Sequence, residues 1–224
     1  MPFPRATLLL CAILPLAPPG SARAQEVDRT AFEVGARVGV NFPFGESSAG
    51  KSLATNVGPA YAFTLEAGVR LFGRYELAVV GLYALGTVNT TTSQGCYTGS
   101  NSCTAATGEV GLEFIYHPLG LAPVDPFVGV GAGYEWLPIW ATVSGRDYNL
   151  TLRGWNWVQV QGGVEFPVGQ LVRVGPFVAL SVGEYDSVSY NVPTASGPLA
   201  GFGPINNPGV HLWLSVGFRV VVLP

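Results

Sequence analysis

At 224 residues the chain has room for one domain of moderate size. Only 11% of its residues are charged against 48% hydrophobic, and Gly 30 and Pro 18 accompany a single Met, whereas about a quarter of the residues of an ordinary soluble globule carry charge. Lys51 is the only lysine and no basic patch exists, which excludes nucleic acid as a partner; past the N-terminus no apolar run reaches the roughly 18 residues of a transmembrane helix.

The N-terminus follows a separate logic. Arg5 supplies a positive start, Ala6 to Leu16 an apolar stretch, and Pro18 to Gly20 a break. Ala22-Arg23-Ala24 then forms a small-x-small cleavage site before Gln25, so residues 1–24 are expected to be a cleaved signal peptide. A lipidated Cys11 is the weaker alternative, since Leu10 stands where a small residue is needed. Without Arg5 and Arg23 the eleven basic residues fall to nine against fourteen acids, a net charge of −5.

The remaining chain alternates with a period of two, the side-chain period of a β-strand. The first predicted strand, Phe32 to Asn41, sets Phe32, Val34, Ala36, Val38 and Val40 against Glu33, Gly35, Arg37, Gly39 and Asn41. A polar segment, Phe42 to Gly58, precedes the second, Tyr61 to Leu71, in which Glu66 and Arg70 share the non-apolar face. Phe72-Gly73-Arg74 is a tight turn into the third, Tyr75 to Val88, where Glu76 and the small or apolar Ala78, Val80, Leu82 and Ala84 form the second face. Thr87 to Thr107 reads as a polar loop holding Cys96 and Cys103. No His, Asp or Glu lies inside it, so a disulfide is expected there rather than a metal site.

Glu109 to His117 is the fourth strand, with Glu109 and Glu113 opposing Val110, Leu112, Phe114 and Tyr116. The fifth, Phe127 to Trp136, has Val128, Val130, Ala132, Tyr134 and Trp136 on one face and Gly129, Gly131, Gly133 and Glu135 on the other. A loop over Pro138 to Gly154 leads to the sixth, Trp155 to Phe166, with Gln159, Gln161 and Glu165 opposite the valines. The seventh is Val174 to Tyr185, a loop spans Asp186 to Pro208, and the eighth runs from Val210 to Val222 with Arg219 on its inner face.

Eight strands with connections alternating long and short imply an antiparallel up-and-down transmembrane β-barrel, its short turns and both termini on the periplasmic side. Composition decides which face meets lipid. A water-exposed face carries about 25–35% Asp, Glu, Lys and Arg, but here that face is glycine, alanine, serine and glutamine with scattered Glu and Arg. The oily face is therefore expected outside. Glu33, Arg37, Glu66, Arg70, Glu76, Glu109, Glu113, Glu135, Glu165 and Arg219 are expected to form a structural charge network plugging the lumen, because buried charges need partners. Tyr61, Phe72, Tyr75, Tyr116, Tyr134, Trp136 and Phe166 fall near strand ends, where interfacial girdles sit. Trp155, Trp157 and Trp213 have the inward phase.

With strands, turns and termini placed, Gln25 to Pro224 resembles the small eight-stranded outer-membrane barrels of Gram-negative bacteria, of the OmpA/OmpX/OmpW type. The terminal stretch around Ser215, Gly217, Phe218, Val220 and Val222 looks like the signal read by the barrel-assembly machinery, although the chain ends Leu223-Pro224 where many members end in Phe or Trp. The resemblance implies an outer-membrane location, contact with outer-membrane lipids and lipopolysaccharide, a monomer, no cofactor and a structural or surface-interaction role through the external loops. The alternative it offers is a small carrier for hydrophobic solutes. An enzyme is not expected: the only histidines are His117 and His211, both inward, and Ser215 lies four strand residues from His211, roughly 13 Å away.

Overall fold

Alternation of bulky apolar with small or charged side chains gives a sheet two chemically different faces, and closing the sheet hides one of them and removes both edges. In the computed structural model, which describes residues 30–88, 102–194 and 197–223, the chain does this. The elements are β1 (Ala31–Ser48), β2 (Lys51–Ser52), α1 (Leu53–Asn56), β3 (Val57–Leu71), β4 (Tyr75–Val88) and β5 (Ser102–Tyr116), followed by β6 (Asp125–Val143), β7 (Arg146–Val168), β8 (Val172–Thr194), β9 (Gly197–Pro204) and β10 (Val210–Val222). Consecutive long strands pair antiparallel, and β10 pairs with both β8 and β1, closing an eight-stranded ring. β9 adds to the outer end of β8, and β2 to that of β1.

The outward face is oily: Leu65, Leu77, Val79, Leu112, Val128, Val130 and Phe218 are all exposed. Aromatic pairs mark its two borders, Tyr75 on Tyr116 at the turn end and Tyr134 edge-on to Trp155 at the other. From Tyr116 to Gly108, on which Trp136 lies, β5 advances eight residues. At about 3.3 Å each and a tilt of about 40° this is roughly 20 Å, close to the ~25 Å apolar band of outer-membrane barrels.

Beyond that border the structure departs from the sequence expectation. Pro138 to Gly154 is not a loop. β6 and β7 run on as a ribbon to a two-residue reversal at Ser144 (φ 51°) and Gly145 (φ 72°), the positive-φ pair that matches strand twist. Likewise Phe42 to Ser48 belongs to β1, Ser102 to Thr107 to β5, and much of 186–208 to the β8–β9 ribbon. With 19 residues in β6 and 23 in each of β7 and β8, these strands are about twice the ~9–11 residues a membrane crossing needs.

Face polarity reverses in this external crown. Leu137, Leu152 and Val188 sit side by side and line its interior, whereas the register partners Thr142 and Asp147, and Trp140, Asn149 and Asn191, lie on its outer face. A sheet leaving lipid for water must turn its apolar face inward. In β7 the switch is made by a β-bulge: Trp157 and Val158 together face the single Ala132, between the pairs Gly131–Gln159 and Gly133–Asn156. The extra residue shifts the phase by one, so Trp155 (55% exposed) and Trp157 (51%) point outward and Asn156 inward, correcting the inward placement of the two tryptophans; Trp213 is buried in the lumen.

Candidate functional site

Among the described residues the lumen is filled by four guanidiniums and eight carboxylates, all buried: Arg37, Arg70, Arg173 and Arg219 with Glu33, Glu66, Glu76, Glu109, Glu113, Asp125, Glu135 and Glu165. Inward glycines make room for them. A Cβ on Gly35 would lie 2.1 Å from the Glu66 carboxylate, and one on Gly133 2.5 Å from that of Glu109.

Arg219, from β10, is the hub of the periplasmic half. It donates to Glu66 at 2.6 Å, to Glu76 at 2.8 and 2.9 Å, to Glu33 at 3.2 Å and to Glu165, while its guanidinium lies over the Phe127 ring at 5.2 Å. Arg70 donates to Glu33 at 2.7 Å and to Asp125 at 3.3 Å. His117 bridges Asp125 (3.1 Å) and Glu76 (3.3 Å). Arg37 donates to Glu113 and Glu66 half-way up the barrel.

Carboxylates outnumber guanidiniums, and neutral donors supply the difference. Gln159 and Gln161 donate to Glu113 at 3.0 and 2.9 Å, and Asn156 to Glu109 at 3.1 Å. Glu135, the outermost, receives the Tyr185 hydroxyl, the Trp213 indole N–H at 2.9 Å and the His211 imidazole at 3.1 Å, with Tyr185 stacked on His211. Two acid triads, His117–Asp125–Glu165 and Glu33–Glu66–Glu76, are tight enough to ligate a metal ion. Arg70, Arg173 and Arg219 already contact oxygens of both groups.

Above Glu135 the lumen changes character. Leu53, from the short α1 folded inward, packs with Val57, Val88, Leu137, Tyr185 and Trp213 into an apolar floor. On it stands a cavity of about 630 Å³ lined by Leu137, Ile139, Ala141, Leu150, Leu152, Val188 and Ile205 on one side and by Ser47, Ser48, Lys51 and Asn56 on the other. A void of only about 30 Å³ lies between floor and ionic plug, beside Arg37, Glu109 and Trp213, and a separate pocket of about 430 Å³ opens at the periplasmic end by Gly73, Leu121 and Gln170.

All ten charged residues singled out in the sequence face this interior. Sequence reasoning missed Asp125, placed in the short connection Pro118 to Asp125, and Arg173, left between the turn Pro167 to Val172 and the seventh strand; each is in phase with the inward residues that follow it, Phe127 and Gly175. It also missed Asn156, hidden by the bulge, and Tyr185, which ended a strand that in fact continues. Ala78, Val80 and Ala84 pack the lumen wall. Cys103 is buried at the outer end of β5, while Cys96 lies outside the described residues, as do residues 1–24. Ser215, Gly217, Phe218, Val220 and Val222 lie on β10 along the seam with β1, where Gly217 pairs with Gly39.

A closed eight-stranded barrel with an apolar belt, a charged and plugged lumen, and short turns and both sheet termini at one end is a transmembrane β-barrel of the outer membrane. Solved structures agree on the fold. The chain is similar to a major outer membrane protein from Thermus thermophilus (14% identity, 86% of this chain and 99% of that one, TM-score 0.56) and to the outer membrane protein OprG from Pseudomonas aeruginosa (16%, 88% and 98%, TM-score 0.51). No protein-family profile and no curated protein matches the chain.

Proposed function

We propose that the protein is a sealed outer-membrane barrel whose external crown is a binding cup for small apolar solutes. The observation that carries this reading is the cavity of about 630 Å³, apolar on the crown side and standing on a closed floor above an ionic plug. Its size falls within the about 300–1,000 Å³ of small-molecule sites. The plug argues for binding or hand-over at the surface rather than diffusion through a water-filled pore. The outer face of the ribbons remains available for contact with lipopolysaccharide or other macromolecules. The reading includes no enzymatic step: His117 and His211 are both engaged by carboxylates inside the barrel, away from lipid. Ser215, Gly217, Phe218, Val220 and Val222 serve, in this reading, as the strand the assembly machinery recognises.

Displacement of the fluorescent apolar probe N-phenylnaphthylamine from the refolded barrel tests the cup. Leu152→Glu, which sets a charge on the apolar wall, is expected to weaken probe binding at least tenfold while the barrel stays folded. Equal binding by the variant would refute the site. In planar bilayers the wild-type protein is expected to show no stepwise conductance.

A further inference from the structure

The cup is two-sided. Its β6–β8 wall is apolar, whereas the opposite wall, from the end of β1 to α1, presents Ser47, Ser48, Lys51 and Asn56. Lys51 is the one charged side chain among the described lining residues, none of which carries a carboxylate. It makes no ion pair with any described residue. The nearest acid in sequence, Glu46, turns its carboxylate to the Gly50 N–H at 2.9 Å instead.

The backbone around Lys51 is held in place. Gly50 takes a φ of 77°, Ser48 pairs with Lys51 and bridges to Pro208, and the Ser47 hydroxyl donates to the Lys51 carbonyl at 3.3 Å. An ammonium without an ion-pair partner among the described residues, set at one edge of an oily cavity, complements a molecule with an anionic head and an apolar tail. A neutral hydrocarbon would leave that charge unused.

The geometry points to an anionic amphiphile of the alkanoate class as ligand, its carboxylate at Lys51 and its chain along Leu137, Ile139 and Leu152. The inference rests on the cup being a ligand site and adds the head-group chemistry. Lys51 is exposed, so the ion pair is a modest one: a gain of up to about fivefold in affinity corresponds to the upper range of exposed pairs.

The test competes dodecanoate and dodecanol against N-phenylnaphthylamine on the wild type and on Lys51→Gln, both refolded in nanodiscs of neutral phosphatidylcholine, with heat-modifiability on gels as the folding control. Dodecanoate is expected to bind about threefold to fivefold more weakly to Lys51→Gln, with the gap closing at high salt, and dodecanol equally to both. Dodecanoate unaffected by Lys51→Gln while dodecanol still displaces the probe would overturn the head-group assignment and leave the apolar cup standing. Parallel loss of both ligands would overturn it too, by making Lys51 a packing residue. Failure of both ligands to displace the probe from the wild type would sink the cup itself.

Discussion

Replacing Arg219 with methionine removes the cation that touches four carboxylates at once. Glu33, Glu66, Glu76 and Glu165 each accept from it, and the side chain is fully buried beside Phe127. Methionine matches the length of the stem but not the fork. Among the described residues the lumen then holds eight carboxylates against three guanidiniums, with Glu66 left only to Arg37. Removing one partner of a buried ion pair costs about 3–5 kcal/mol, because the other charge stays desolvated. Arg219 serves several partners, so the upper end of that range applies, offset where water enters or an acid takes up a proton. The assay is urea unfolding of the barrel in lipid vesicles, followed by tryptophan fluorescence. A double-mutant cycle with Glu66→Gln should show less than additive loss, by about 0.5–3 kcal/mol, since the neutral amide no longer needs the cation. Arg219→Lys should recover only part of the stability, since an ammonium cannot reach Glu66, Glu76 and Glu165 together. Arg219→Met within about 1 kcal/mol of wild type, or strict additivity in the cycle, would refute the plug as the barrel's internal brace.

Three other perturbations probe separate parts of the fold. Brominated lipids should quench single-tryptophan variants retaining Trp155 or Trp157 and spare one retaining Trp213; the reverse order would contradict the bulge in β7. Gly217→Val places a Cβ 2.1 Å from the Val38 carbonyl at the β1–β10 seam, and overpacking of this kind costs about 1–3 kcal/mol, readable as a lower urea midpoint. Peptide mapping of exported protein under non-reducing conditions should recover Cys96 and Cys103 in one linked peptide and an N-terminus at Gln25; two free thiols would exclude the linkage.

Much of the barrel was legible because β-strands write their burial into a period of two. Glu33, Arg37, Glu66, Arg70 and Arg219 announce the inner face by sharing it with glycines, and the Phe72-Gly73 turn needs only its own residues to form. The ten lumen charges were found this way. Asp125 and Arg173 were not, since a strand's first residues look like turn when read locally. Tyr185, His211 and Trp213 were each visible, but nothing in their spacing brings them to Glu135. Those three partners arrive from β8 and β10, and Glu135 from β6, which only the closed ring juxtaposes.

By itself the sequence determined the fold class, the number of barrel strands and the side that faces lipid, because each depends on alternation and composition along single strands. Tertiary structure alone decided where the membrane part ends. The bulge at Trp157–Val158, the inward turn of α1 and the reversal of face polarity above Glu135 all depend on pairing between strands. The cup exists because apolar faces from separate ribbons meet where lipid no longer covers them, and Lys51 comes to its edge only when β2 folds back on β1.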